Sequence, residues 1–448
     1  MVLHLIVLLK NMLIRVFWQG NTFEKIAKIA IPILVILHFS ILTISPPGFY
    51  IDEAATGSHV VSMLKNQTDA NGQSWPLFSS SLGGGYTTPT YLYPVTVWSM
   101  IFGDSEYALR AFSQFATIIA IFFIGLSIYL WFDKKAMLIA WIVGLTLPWA
   151  WLQGSLAWDP ALVPLFVSLW FFGFSLIEKR TKYKLWGLAI LGVSLVCLAY
   201  TYPPTRIVAP ILLGSSLIYL IGERKINIKE FIITCLVSLV LVMPLAIFMF
   251  QPDALIRSQQ LNTFHGISFF DGMTATINNF IDLFNPIYLF IDSGYNLRHG
   301  VGAQGMLGFA ALIAILYLFI SKTGRHEIFN NKKPYKKLLL ISILGISLSY
   351  ISSALTSEGQ PHYLRACAAW PFYVIVITIG WLMILSLKSK IKYMYIALAT
   401  FCIILFIYNF AFIYPTKSKE YFDFTKRQEF NSGQTNTYPD IVKRYYQR

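Results

Sequence analysis

Charge is what this chain has least of. Asp, Glu, Lys and Arg make up 12% of its 448 residues, against roughly 25% in an ordinary soluble domain. Acid is scarcer than base, with 21 Asp and Glu against 35 Lys and Arg and a formal net charge of +14. Cysteine is also sparse. Cys197, Cys235, Cys367 and Cys402 each fall inside an apolar run, and none stands at metal-ligand spacing from another. They read as small core residues, not as a disulfide framework or a zinc site. A cleavable leader is not expected either. Met1 to Trp18 is apolar, but Lys10 and Arg15 interrupt it and no small-residue cleavage site follows. That stretch reads as an amphipathic helix on the membrane surface, with a short extra span as the competing reading.

What the chain has in abundance is apolar sequence: 56% hydrophobic residues and a mean hydropathy of +0.60. The apolar runs are long enough to cross a bilayer. The expected fold is an all-α polytopic membrane protein with eleven spans near 28–46, 108–131, 136–152, 160–177, 185–201, 207–222, 231–250, 304–320, 337–355, 367–387 and 392–414. An odd number puts the termini on opposite sides. With the N-terminus cytoplasmic, the inner segments hold 22 Lys and Arg, from Lys10 and Arg15 through Lys134, Lys135, Lys225 and Lys337 to Lys392. The outer loops before the tail hold six: Lys65, Arg110, Arg206, Arg257, Arg298 and Arg365. That asymmetry selects this orientation. It accounts for the net charge through anionic lipid headgroups, with no need for nucleic acid. Residues 1–414 read as one membrane domain. Residues 415–448 form a short basic extracytoplasmic tail, too short for a core of its own.

The outer loops are acidic, and two are long, near 45–106 and 251–303, so the chemistry is expected on the outer face. The adjacent pair Asp52 and Glu53 sits just past the first span. Carboxylates at that depth are costly to desolvate and mark a site by default. Their plainer reading is an N-terminal cap on the helix that follows. Asp159, in Ala157-Trp158-Asp159-Pro160, is either a second site acid or a cap ahead of an N1 proline. The first loop also carries helical character over 53–64, turn signals at 69–72 and 83–85, and an aromatic run from Pro89 to Phe102 that is too short to span. Surface-lying helices are expected there, rich in the Tyr and Trp that favour the headgroup layer. Five of the six outer cations before the tail are arginines. A bidentate guanidinium matches phosphate oxygens better than lysine does.

These segments resemble a known class. The acidic pair, then Pro89-Thr90-Tyr91-Leu92-Tyr93, then Phe102-Gly103-Asp104-Ser105-Glu106-Tyr107-Ala108-Leu109-Arg110 resemble the first loop of GT-C membrane glycosyltransferases. The likeness is to the protein O-mannosyltransferase and aminoarabinose-transferase superfamily, bacterial members above all. Tyr200 to Arg206, Gly294 to Gly300 and Leu355 to Arg365 resemble three later segments of that superfamily. The resemblance covers nearly the whole span region, and every motif falls on the expected outer face.

The resemblance implies a GT-C-like bundle at a prokaryotic plasma membrane. It implies a glycosyltransferase taking sugar from a polyprenyl-phosphate donor to an acceptor hydroxyl on protein, lipid or glycan. Direct displacement would invert the anomeric centre. Asp52 is then the general base, with Glu53 and Asp159 beside it. The leaving phosphate would be met by Arg110, Arg206, Arg298, His299, His362 and Arg365. Tyr50, His59, Tyr91 and Tyr93 would line the cavity. No compact metal-ligand motif is present, so no cofactor and no metal is expected. A pyrophosphate-linked donor would instead call for a divalent ion held by Asp52, Glu53 and Asp159. Two other classes stand beside this reading: a lipid or solute transporter, and a non-catalytic scaffold subunit. A transporter would place polar residues deep inside several spans, and ionisable residues are nearly absent from the span centres. Larger members of the superfamily carry a folded soluble domain where this chain has its tail, so recognition of a protein acceptor by such a domain is not expected.

Overall fold

The computed structural model describes residues 22–422, save 295, 331–333 and 358, together with Tyr445. The expected surface helix over Met1 to Trp18 and most of the basic tail lie outside the described residues. Among the described residues, nine helices are long and apolar enough to cross a membrane. A bent pair, Lys134–Leu145 and Pro148–Gly154, and the shorter apolar helix Gly308–Ile320 complete the set. These coincide with the eleven apolar segments expected, so the chain is a multi-pass, all-α membrane protein.

Two differences from the sequence reading have local causes. The third segment is not one straight helix: it breaks before Pro148 and turns by 62°, because proline removes a donor and biases the preceding residue out of helical conformation. The eighth begins late, at Gly308, whose φ of +72° suits glycine and where an added Cβ would lie 3.1 Å from the Pro148 ring. The break and the late start therefore pack on each other, and Trp149 N–H donates to Met306 O (2.9 Å) across them.

The bundle closes through small residues. Gly173 and Gly187 face each other where Val163–Lys179 crosses Lys184–Thr201. A Cβ on either would lie 2.7 Å from the other's carbonyl oxygen. Without a hydrophobic force between helices in lipid, such close backbone approach supplies the packing. A buried polar knot ties three spans together. His38 Nε2 donates to Leu145 O (2.9 Å) and Nδ1 accepts from Gln114 Nε2 (2.8 Å). A carbonyl can only accept, which fixes this tautomer.

Surface helices lie in both long loops. Ile51–Asn66 and Pro89–Phe102 fill the first, joined by a short hairpin pairing Ser79–Ser80 with Tyr86–Thr87. Pro89–Phe102 exposes Val97, Met100, Ile101 and Phe102. The second loop holds a helix the sequence reading lacked, Phe269–Asp282. It exposes Phe269, Phe270, Met273, Ile277 and Ile281 at helical spacing, the pattern of a helix lying in the interface. Its Asn279 Nδ2 donates to Ala354 O and Thr356 O, fixing the helix to the loop after Tyr335–Ala354. The last described helix, Tyr414–Phe422, and Tyr445 pack at this same end. Tyr445 stacks on Phe49 (5.2 Å) and donates to Asp104 O (3.2 Å).

Gly173→Leu is expected to wedge the two backbones apart and cost on the order of 1–3 kcal/mol, the range for overpacking. Thermal melting of the purified protein in detergent checks it, and an unchanged melting temperature would show that the crossing is not close.

Candidate functional site

The acidic pair divides its labour by helix geometry. Asp52 and Glu53 occupy the first turn of Ile51–Asn66, and successive positions there point about 100° apart. Glu53 turns inward and is fully buried, while Asp52 is exposed. Glu53 meets Arg110, itself 3% exposed, in a bidentate ion pair: Nε to Oε1 at 2.9 Å and Nη2 to Oε2 at 2.8 Å. Each carboxylate oxygen takes one more donor. Tyr50 N–H reaches Oε2 (2.9 Å) and Ala157 N–H reaches Oε1 (2.8 Å). Arg110 also donates to Pro46 O and Gly48 O. The plainer reading of the pair, a helix cap, is thus realised by Glu53 through the Tyr50 amide. Glu53 and Arg110, expected at the reacting groups, are engaged inside the protein.

Asp159 is not a cap on its own span. Its Oδ2 accepts from Thr88 N–H (3.0 Å), 71 residues away, at the start of Pro89–Phe102. Its Oδ1 is buried with no hydrogen-bond partner among the described residues. Ala157 and Asp159 therefore fasten the same short segment to both surface helices of the first loop. Asp52 and Asp159 lie within electrostatic reach of each other, and the Asp52 charge also acts on the Tyr202 phenol.

Four of the expected basic residues come together from two separate loops. Arg298 Nε donates to His299 Nε2 (2.9 Å). The His299 ring stacks on His362 with centroids 3.9 Å apart. Arg365 N–H reaches His362 Nδ1 (3.4 Å), and the Arg365 side chain hydrogen-bonds Tyr202. Arg298 also donates through Nη1 to the Tyr50 hydroxyl and lies over its ring at 5.0 Å. Tyr50 is two residues from Asp52, so cluster and carboxylate share one end of the bundle. The loops are held by local bonds. Gln360 Nε2 donates to Ser353 O and Thr356 O, and Tyr414 hydroxyl donates to Leu297 O (2.6 Å).

Burial, then the neighbouring His299 and the charges of Arg365 and Arg298, hold His362 well below its ordinary value of 6.5, so it is neutral at pH 7. Tyr202 is pushed up to about 12, by burial first, with Arg365 opposing.

The remaining expected residues divide. Arg206 heads Thr205–Gly222, half-buried, with its Nε buried and no hydrogen-bond partner among the described residues. His59 faces the protein, its Nδ1 accepting from Ala70 N–H (3.2 Å). Tyr91 is buried against Phe112 and bonded to Ser113 (2.8 Å). Tyr93 stacks on Trp75 and donates to Pro76 O. These three side chains hold the first loop together. Thr88 and Tyr414 were not singled out from the sequence, and Tyr202 entered only as part of the Tyr200 to Arg206 motif. Thr88 stands before the Pro89 that starts a helix, and Tyr202 sits between Thr201 and Pro203, but neither position announces a tertiary partner. Among the described residues, no group of three or more His, Cys, Asp and Glu is arranged to hold a metal ion.

Removing one partner of a buried bidentate pair strands the other's charge. Arg110→Ala is therefore expected to cost about 3–5 kcal/mol of stability and Arg110→Lys part of that, read as loss of folded protein after extraction. Protein melting as wild type in both variants would contradict the buried pair. His362 supplies a pH prediction. Its native pKa is lowered, so below 6.5 the unfolded chain takes up a proton the native state refuses. Its contribution to stability is full above pH 6.5 and falls as the pH drops below it. The melting temperature should decline from pH 7 to pH 5, and His362→Gln should flatten that decline.

No protein-family model matches the chain, and no curated protein matches it. Solved structures do. The Archaeoglobus fulgidus oligosaccharyltransferase AglB, solved with an inhibitory peptide and a dolichol-phosphate, aligns with TM-score 0.52 at 12% identity over 94% of this chain and 60% of its own. The same organism's oligosaccharyltransferase with Zn and sulfate aligns with TM-score 0.52 at 16% identity, over 91% of this chain and 57% of its own. ArnT from Cupriavidus metallidurans, bound to undecaprenyl phosphate, aligns with TM-score 0.50 at 12% identity, over 87% of this chain and 74% of its own. The chain thus spans about 60% of the oligosaccharyltransferase's length. At such identities the likeness is one of fold, and the chain has the fold of the GT-C membrane glycosyltransferases.

Proposed function

We propose that this chain is a membrane glycosyltransferase that moves a sugar from a polyprenyl-phosphate-linked donor to an acceptor hydroxyl at the extracytoplasmic face. The observation that carries the reading is the convergence of Arg298, His299, His362 and Arg365 from two loops beside the exposed Asp52. Two guanidinium groups beside two imidazoles present donors that suit a phosphate, and a carboxylate alongside supplies the base that transfer to a hydroxyl requires. Two proteins of this fold were solved with polyprenyl phosphates, dolichol-phosphate and undecaprenyl phosphate.

In the proposed reaction the acceptor oxygen attacks the anomeric carbon while Asp52 takes its proton. The bond from that carbon to the phosphate oxygen breaks, and the polyprenyl phosphate leaves with the electron pair. Its growing charge is met by Arg298 and Arg365, and by a His299–His362 stack in which His362, neutral, offers a hydrogen bond in place of charge. Attack opposite the leaving group inverts the anomeric centre. Arg206, with an unpartnered buried Nε, is a further phosphate donor. Glu53 and Arg110 position the helix that carries Asp52 and do not touch substrate. Asp159 is proposed to orient the acceptor through its free Oδ1. The lipid enters sideways, past the apolar faces of Pro89–Phe102 and Phe269–Asp282. A transporter is less well supported, because these charges gather at one end of the bundle and do not form a path across it.

Transfer from a panel of radiolabelled polyprenyl-phosphate sugars tests the reading. Asp52→Asn should lower transfer by about 10²–10⁴-fold, the range for loss of a general base, with the protein still folded and inserted. Arg365→Ala should raise the donor KM, whereas Arg110→Ala should act on stability. Guanidinium and imidazole groups suffice for a phosphate monoester, so chelator is expected to leave transfer unchanged. Full activity of Asp52→Asn would refute the base assignment.

A further inference from the structure

A large cavity lies at the other end of the bundle. It measures about 540 Å³, within the range of roughly 300–1,000 Å³ for small-molecule sites. Its walls are apolar and come from five spans, including Ile139, Ala310, Ile377 and Ile403. Its charged lining is two lysines, Lys135 and Lys392, each at the start of its helix and so at the boundary opposite the candidate site. Three other lysines at that boundary are matched by acids: Lys134 by Glu24 (2.7 Å), Lys184 by Glu230 (2.6 Å), Lys337 by Glu178 (2.8 Å). Lys135 and Lys392 have no carboxylate within 4 Å among the described residues. Lys392 lies over the exposed Tyr393 ring (5.3 Å).

We propose that this cavity is a binding site for an anionic phospholipid of the leaflet on that side. The phosphate would sit between Lys135 and Lys392, and an acyl chain would run inward along Ile139 and Ala311 to Leu147 and Leu307. Two unmatched ammonium groups above an apolar slot complement an anionic head on a hydrocarbon tail. They do not suit a zwitterionic head, whose own cation would oppose them. The inner end of the slot abuts the break before Pro148, where Trp149 N–H holds Met306 O and Leu307 N–H holds Leu289 O. A lipid there would fill the space behind the loop that carries Arg298 and His299. The site stands independently of the proposed transferase activity.

Native mass spectrometry of the purified chain with equal phosphatidylglycerol, phosphatidylcholine and undecaprenyl phosphate tests this. Phosphatidylglycerol is expected to be retained over phosphatidylcholine by about tenfold or more, from the attraction of two lysines for an anionic headgroup. K135Q/K392Q should bring that ratio near one. Ala310→Trp, which fills the slot and leaves both lysines, should cut phosphatidylglycerol retention, and each variant is compared at a melting temperature matching wild type. Equal retention of the two phospholipids, or unchanged retention in Ala310→Trp, would overturn the proposal. Preference for undecaprenyl phosphate would overturn the phospholipid assignment in favour of a carrier-lipid site.

Discussion

The buried ion pair between Glu53 and Arg110 is the contact on which the geometry of the site depends. It joins the first surface helix, the strand of chain over Pro46 and Gly48, the second span and the Ala157 segment through six hydrogen bonds. Desolvating both charges is expensive, and their attraction offsets it only when every remaining donor and acceptor is satisfied. Here both carboxylate oxygens are doubly engaged and the guanidinium reaches two carbonyls as well. The consequence for Asp52 is directional. With Glu53 fixed inward, the preceding residue on the same helical turn must face out.

A second constraint is the crowding of basic groups. Arg298 and Arg365 stand near two imidazoles, and His362 responds by remaining neutral. The tyrosines Tyr50 and Tyr202 take hydrogen bonds from the two arginines and so aim them without neutralising them. An aromatic hydroxyl orients a guanidinium while leaving its charge for another partner, which a carboxylate would not do. Rigid loops make this possible. Gln360, Asn279 and Tyr414 hold the backbone on either side of the cluster, so the cationic groups do not simply move apart into water.

Much of the bundle was legible in the sequence, because hydrophobic length and the scarcity of charge report directly on what lies in lipid. The break before Pro148 was missed because the apolar run continues through it, although the proline was in view. The amphipathic helix Phe269–Asp282 was missed because its polar face makes the segment read as loop. The roles of the arginines expected on the outer face were the least legible. Arg110 and Arg365 both stand beside the start of a span, and composition treats them alike. Arg110 faces a buried glutamate and Arg365 faces a tyrosine, a difference set by partners 57 and 163 residues away in the chain.

The sequence by itself determined that this is a multi-pass helical membrane protein whose polar residues gather in its loops, since desolvation cost permits few other placements of its charges. Tertiary structure decided which of those charges pair inside the protein and which gather at one end of the bundle. Neighbouring carboxylates 52 and 53 differ by one step of a helix, and only packing says which of the two directions is the interior. The cluster of Arg298, His299, His362 and Arg365 is likewise assembled from loops more than 60 residues apart in sequence, and no local pattern encodes a meeting of that kind.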